Sequence, residues 1–276
     1  MKARLWQFFF LFYAFASIEN IFAEESKKNI KDIKEQNIMS VLYQQTAAER
    51  MAGSLQTFKL AKQAIDKALA DPSWSALPGQ NTRDKKPAII VDVDETVLDN
   101  TAYEARMILN GTSYPEGWIR WCKEAVAAEV PGAKDFLNYA ASKEITIFYV
   151  TNRVIELKEA TKKNLSNLGI PWDQAKDTIL MRGENNWDSD KGPRRALVGS
   201  EYRVLIMVGD NLGDFVDAKE NNLIASKRKN IVKDYTDYWG VKWFMLQNVA
   251  YGDWEGALYN FDSVSYTHLR AHETDR

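Results

Sequence analysis

An α/β fold, with a parallel sheet flanked by helices and a small, mainly helical N-terminal and cap region, is what this sequence predicts. Two observations carry it. From Ala88 onward, short β-branched runs that are nearly all apolar recur along the chain, and stretches of helical periodicity fill the gaps between them. Strands covered on both faces read as continuous apolar runs rather than alternating ones. Strands alternating with helices belong to parallel sheets.

The elements follow in order. From Asn37 to Ala70 the pattern is helical, with Leu55, Phe58, Ala61, Ile65 and Leu69 recurring at threes and fours on one face. Asp71-Pro72 stops that helix, and Ser75 to Lys86 is a polar loop. The run Ala88 to Val93 is the first strand, and Ile145 to Val150 the second. Thr178 to Met181 is a weaker third, Val204 to Val208 a fourth, and Trp243 to Leu246 a candidate fifth. Leu157, Ala160, Asn164, Leu165 and Leu168 share a helical face that ends at Gly169-Ile170-Pro171, a left-handed glycine cap followed by a stop. Residues 99–129, with Tyr103, Tyr114, Trp118 and Trp121, break the alternation and are expected to form helices over the end of the first strand. Asn110-Gly111-Thr112 fits a glycosylation acceptor but reads as a turn.

The ends of the chain read differently. Lys2 and Arg4 precede an apolar stretch from Leu5 to Ile18, with Ala23 before Glu24-Glu25 as a cleavage point. Residues 1–23 are therefore expected to be a signal peptide, which makes the protein exported, either periplasmic or secreted. Residues 24–86 are the N-terminal helical segment, 87–262 the α/β core with its helical insertion at about 99–129, and 263–276 a tail without apolar periodicity. The only histidines, His268 and His272, lie in that tail. A histidine nucleophile, a Ser-His-Asp triad and a His-rich zinc site are thereby excluded from the body of the chain. Cys122 is the single cysteine, which excludes an intrachain disulfide and reads as a small buried apolar residue. A net charge of −2 and a pI near 5.9 offer no electrostatic case for a nucleic acid polymer or an acidic membrane as partner. Oligomeric state is left open.

The chemistry gathers at the strand ends. The first strand runs into Asp92-Val93-Asp94-Glu95-Thr96, the second into Thr151-Asn152-Arg153, and the fourth into Gly209-Asp210-Asn211-Leu212-Gly213-Asp214. Asp190-Lys191-Gly192 lies between the second and the fourth. A parallel sheet brings such ends into one crevice. Several carboxylates there repel one another unless a cation neutralises them, and oxygen ligands without nearby His or Cys favour Mg²⁺ over zinc. Asp92 and Asp94, one residue apart, share a face of a regular strand. Asp92 would attack phosphorus, and Asp94 would protonate the leaving alcohol and then activate water. Lys191 and Thr151 would bind the transferring oxygens. Asn152 and Arg153 read more readily as helix-entry and surface residues.

Asp92-Val93-Asp94-Glu95-Thr96-Val97-Leu98-Asp99-Asn100, followed by Tyr103, resembles the first signature of the haloacid-dehalogenase (HAD) superfamily. Its Glu-Thr-Val-Leu variant is similar to the class C (bacterial non-specific) acid phosphatases of the lipoprotein e(P4) type. Val208 to Phe215 resembles the second signature of that class, and the resemblance runs from about Asn37 to Asp262. It implies a HAD-like Rossmannoid sheet. It also implies Mg²⁺ held by Asp92, Asp210 and the main-chain carbonyl of Asp94, with Asp214 on the metal or its waters. Tyr251-Gly252-Asp253-Trp254 resembles a family segment near substrate, so Tyr251 is expected to stack on a nucleoside or aromatic leaving group. Trp118 and Trp121 are the candidates for the opposite face. The implied activity is hydrolysis of phosphomonoesters, 5′-nucleotides (nicotinamide mononucleotide included) and aryl phosphates among them. The lipoprotein cysteine of the class is missing, so no stable membrane anchor is expected. The rival readings are a phosphotransferase on the same site and a non-catalytic secreted binding protein. A dehalogenase is disfavoured because a halide needs no acid such as Asp94.

Overall fold

The computed structural model describes residues 37–261. The expected signal segment 1–23, residues 24–36 of the helical segment, and the tail with His268 and His272 lie outside the described residues. No helix among the described residues is long and apolar enough to cross a membrane.

Five parallel strands form the central sheet: β1 (Lys86–Val91), β4 (Thr146–Val154), β5 (Ile179–Arg182), β6 (Tyr202–Gly209) and β7 (Trp243–Met245). Their spatial order is β5-β4-β1-β6-β7. All neighbouring pairs are parallel. From β1 the chain steps outward to one side through β4 and β5, then returns to build β6 and β7 on the other side. The reversal opens a crevice beyond the carboxyl end of β1, the position where open α/β sheets bind ligands.

The apolar runs are strands because both sheet faces are covered. In β1, Ile89 and Val91 join one core cluster while Ala88 and Ile90 join the other. The first cluster is closed by the helix Ala48–Ala70 through Phe58, Ala61 and Ile65, and by the helix Ala133–Ser142 through Phe136 and Leu137. The second contains Val198 of the helix Gly192–Glu201 and an aromatic group around Trp243, whose ring lies 4.7 Å from both Tyr235 and Tyr238.

The expected helical face of residues 37–70 shifts slightly. Two helices, Ile38–Thr46 and Ala48–Ala70, replace one, and the buried stripe continues through Ala64 and Ala68. Leu55 stays largely exposed at the edge of the stripe. The insertion holds the helices Thr101–Asn110 and Trp118–Glu124. Its ends are pinned together by a two-stranded antiparallel ribbon, β2 (Leu98–Asp99) with β3 (Ala128–Glu129). Gly111 and Gly169 both take the left-handed conformation at helix ends, as the turn and cap readings require. Cys122 is buried, and burial pushes its thiol up to about 12.

Candidate active site

The backbone after β1 turns sharply while staying attached to the sheet. Asp92 N–H donates to the Val208 carbonyl at 3.0 Å, which extends the ladder by one residue. The N–H groups of Val97 and Leu98 both return to the Val93 carbonyl, and Glu95 N–H donates to the Leu98 carbonyl. Glu95 sits at φ 57°, a left-handed conformation that costs free energy in a non-glycine residue. This tight loop aims the side chains of Asp92 and Asp94 into the crevice.

The loop after β6 is fixed just as closely. Asp214 Oδ2 accepts from Asn211 N–H at 2.9 Å, and Asn211 Oδ1 accepts from Gly213 N–H, a reciprocal cap. Gly209 is required here: a Cβ at that position would stand 2.5 Å from the Asp214 Cβ. Asp214 thus presents Oδ1 to the site. Lys191, at the start of the helix Gly192–Glu201, places Nζ on Asp92 Oδ1 and on Asp214 Oδ1, the latter at 2.6 Å.

Asp92, Asp210 and Asp214 each offer an oxygen within 4.8 Å of the others. Burial, outweighing the Lys191 charge, pushes the Asp92 carboxyl up to about 7, and the neighbouring carboxylates add to the rise. Asp210 is likewise held well above the usual carboxylate range by burial and by the charges of Asp92 and Asp214. Lys191 moves the other way. Burial works against its charge, but Asp214 and Asp92 more than compensate and raise its pKa. Converging carboxylates of this kind, with Asp92 and Asp214 buried and Asp210 partly so, form an all-oxygen donor set that fits a hard divalent cation.

Arg153 is buried, not a surface residue as the sequence reading had it. Strand β4 runs on to Val154, so Thr151 and Arg153 point inward together while Asn152 faces out. The guanidinium reaches Asp94 from Nε at 2.9 Å and from Nη2 at 2.8 Å. Burial disfavours its charge, yet the Asp94 carboxylate raises its pKa on balance. Asn152 Oδ1 instead accepts from Arg194 Nη2 at 2.6 Å.

These groups open onto a cavity of about 840 Å³. Asp92, Asp94, Lys191, Asp210 and Asp214 all line it, as do Trp118 and Tyr251. Thr151 does not. It is fully buried behind the wall, and its hydroxyl accepts from Arg153 N–H at 3.1 Å. Trp121 also departs from the expectation. It is 4% exposed, its Nε1 donates to Asn100 Oδ1 at 2.8 Å, and it belongs to the core rather than to a stacking face.

Further residues bind the site together that sequence reasoning did not single out. Thr96 Oγ1 donates within 3.3 Å of Asp92 and 3.4 Å of Asp210. Asn100 Nδ2 donates to Asp94 at 2.8 Å. Asn248 Nδ2 donates to Asp210 at 2.9 Å, and Gln44 Nε2 donates to Asn248 Oδ1 at 3.3 Å. Glu95 accepts from the Tyr251 hydroxyl at 2.9 Å. Thr96 and Asn100 stand inside the first motif, which was a usable signal; Gln44 and Asn248 had none.

A carboxylate pair after the first strand, a lysine across the crevice and acids after the β6 strand define a phosphohydrolase site of the HAD type. The chain belongs to the HAD superfamily, subfamily IIIB (acid phosphatase), whose family pattern matches residues 15–254. It is similar to the class C acid phosphatase from Bacillus anthracis, at 34% identity over 89% of this chain and 98% of that one, with a TM-score of 0.76. The same protein with tungstate bound matches at 34% identity over 87% and 97% of the two chains, also with a TM-score of 0.76. The fold and the enzyme class expected from the sequence are thereby shown: this is an acid phosphatase, a phosphomonoester hydrolase acting on small-molecule phosphates.

Proposed function

We propose that the enzyme is an exported, Mg²⁺-dependent acid phosphatase that works through a phosphorylated Asp92. The observation that carries this reading is the ion pair of Lys191 Nζ with Asp92 at the cavity wall, with Asp94 beside it. Asp92, Asp210, Asp214 and the Asp94 main-chain carbonyl would hold the cation. When bound, it supplies the positive charge that lets an anionic carboxylate meet an anionic phosphoryl group.

An Asp92 oxygen attacks phosphorus, the bond from phosphorus to the ester oxygen breaks, and Asp94 gives that oxygen its proton. Asp94 then takes a proton from water as the water attacks the aspartyl phosphate, which frees Asp92 and releases inorganic phosphate. Lys191 moves from Asp92 to the phosphoryl oxygens as substrate enters, stabilising charge that shifts onto them in the transition state. Thr151 was expected on those oxygens too. From behind the wall, it acts by holding the strand end that carries Arg153. That the Bacillus anthracis enzyme binds tungstate, an oxyanion like phosphate, supports an oxyanion site in this family.

Ring-bearing phosphomonoesters, aryl phosphates and 5′-nucleotides, are the proposed substrates, with Tyr251 and Trp118 as the aromatic surfaces at the cavity. Removal of residues 1–23 on export and the division at residue 86 belong to the same proposal. The test is phosphate release from an aryl phosphate at acidic pH, with Mg²⁺ and with EDTA, for the wild type and Asp92→Asn. Turnover that needs the metal and disappears in the variant supports the reading. Full activity in EDTA would sink the metal, and an active Asp92→Asn would sink the nucleophile.

A further inference from the structure

Asn100 is wholly buried at the start of the helix Thr101–Asn110. An asparagine at that position ordinarily turns its side chain back to cap the first helical turn. Asn100 does not. Its main-chain carbonyl accepts from the N–H groups of Tyr103 and Glu104, but its side chain makes no capping bond. The Thr101 N–H goes to Asp99 Oδ1 at 2.9 Å, and the Asn100 amide is turned on Asp94.

Which end of the amide meets Asp94 follows from its other neighbours. Trp121 Nε1 lies 2.8 Å and Arg153 Nη2 3.4 Å from one end of it. Both groups can only donate, so the end they face is the carbonyl oxygen. The amine end is thereby directed at Asp94 Oδ1, at 2.8 Å, with the Leu98 carbonyl at 3.4 Å as its second acceptor. The main-chain N–H of Asn100 is held by Glu95 Oε1 at 3.1 Å, so backbone and side chain are both fixed.

Asp94 Oδ1 therefore faces three donors: Asn100 Nδ2 and Arg153 Nη2 at 2.8 Å, and Arg153 Nε at 2.9 Å. Oδ2 has only the longer approach of Arg153 Nε, at 3.3 Å. The arginine touches both oxygens, whereas Asn100 touches Oδ1 alone. A proton placed on Oδ1 would point into a cluster of N–H donors, so that oxygen is held as an acceptor. Oδ2 is the oxygen on which a proton can sit.

We propose that Asn100 is a positioning residue for acid catalysis: its amide, set by Trp121, holds Asp94 by Oδ1 and leaves Oδ2 to serve the departing ester oxygen. This rests on the role of Asp94 proposed above and adds to it which oxygen acts and what selects it. As the Asp92 oxygen bonds to phosphorus, the bond from phosphorus to the ester oxygen breaks. The electron pair of that bond stays on the ester oxygen, and the proton passes to it from Oδ2.

The test uses two aryl esters that differ in their need for this proton. 2,4-Dinitrophenolate departs readily as an anion, whereas phenolate departs well only when protonated. With saturating Mg²⁺ at one acidic pH, kcat/KM is measured for both esters in the wild type, Asn100→Ala, Trp121→Phe and Asp94→Asn. Asn100→Ala should slow phenyl phosphate about tenfold more than 2,4-dinitrophenyl phosphate, the scale of one lost hydrogen bond to a charged group. Trp121→Phe keeps a ring in the core and loses Nε1–H, so it should move the ratio the same way by a smaller factor. Looser packing alone would slow both esters alike. An unchanged ratio in Asn100→Ala overturns the inference; if that variant does not fold, an unchanged ratio in Trp121→Phe does so. Asp94→Asn separates the two levels of failure. If it slows both esters alike, Asp94 is not the acid and the proposed mechanism fails. If it slows phenyl phosphate selectively while Asn100→Ala does not, the inference alone fails.

Discussion

Arg153 grips Asp94 in a fork: Nε and Nη2 both reach Oδ1, at 2.9 and 2.8 Å, and Nε also approaches Oδ2 at 3.3 Å. The guanidinium side is 1% exposed and the carboxylate side 20%, so the cation is fixed in the core while the Asp94 carboxylate is held at the cavity edge. Thr161 Oγ1 accepts from Nη1 at 3.2 Å behind it, which locks the guanidinium plane.

Replacing Arg153 with Lys should keep the charge and lose the fork, because an ammonium is a point donor. Asp94 would then lose its fixed orientation toward the leaving oxygen. General acid–base catalysis contributes about 10²–10⁴-fold, so kcat should fall by about ten- to a hundredfold while KM for an aryl phosphate changes much less. Steady-state kinetics decide. A KM effect with kcat intact would place Arg153 on substrate binding instead.

The chain Gln44–Asn248–Asp210 ties the helix Ile38–Thr46 to a proposed metal ligand. Asn248→Ala removes the donor that orients Asp210. Losing such an outer partner costs about 10–100-fold in metal affinity. The Mg²⁺ concentration for half-maximal activity should rise by that factor, with kcat recovered at saturating metal. An unchanged metal requirement would mean that the hydrogen bond does not orient the ligand.

The strands were legible because β-branched apolar runs buried on both faces have few other readings. Their ends were not. The sequence reading stopped β4 at Val150, since Thr151, Asn152 and Arg153 look like a polar exit, whereas the strand carries on to Val154. Arginines are rarely buried without a partner. The partner of Arg153 is Asp94, 59 residues earlier in the chain. A pairing of that range has no local signature. The carboxylates were readable because each follows an apolar run directly, while Asn248 and Gln44 sit 204 residues apart and meet only in the fold. Trp118 and Trp121 posed a question of which helix face points where. A helix of seven residues carries too little periodicity to answer it.

Those two tryptophans should separate cleanly on mutation. Trp121→Ala empties a core site, and large-to-small core changes of this kind cost about 3–5 kcal/mol. Trp118 is half-buried at the cavity wall, so Trp118→Ala should cost less stability and raise KM for ring-bearing esters. Chemical denaturation alongside kinetics checks both. Equal destabilisation with no KM effect for Trp118→Ala would remove it from the substrate surface.

Glu95 links the loop after β1 to the cavity wall at Tyr251 and sets a pH dependence. Its carboxyl accepts from Asn100 N–H and from the Tyr251 hydroxyl while 2% exposed. Burial, with the charges of Asp99 and Asp94 added, pushes it up to about 8. In the unfolded chain a Glu titrates near about 4.3. Between these values the folded protein keeps a proton that the unfolded chain has lost, so stability falls as pH rises. The stabilisation is complete below the unfolded value and is lost by the time pH passes the folded one. Asp92, raised to about 7 mainly by burial, steepens the same slope. Metal-free protein should therefore unfold at progressively lower temperature from mildly acidic to mildly alkaline pH, and Glu95→Gln should flatten part of that fall. Added Mg²⁺ should restore stability most at the alkaline end, where the carboxylates are ionised and a cation offsets their repulsion. A metal-free unfolding temperature that rises with pH would contradict the burial of a protonated Glu95.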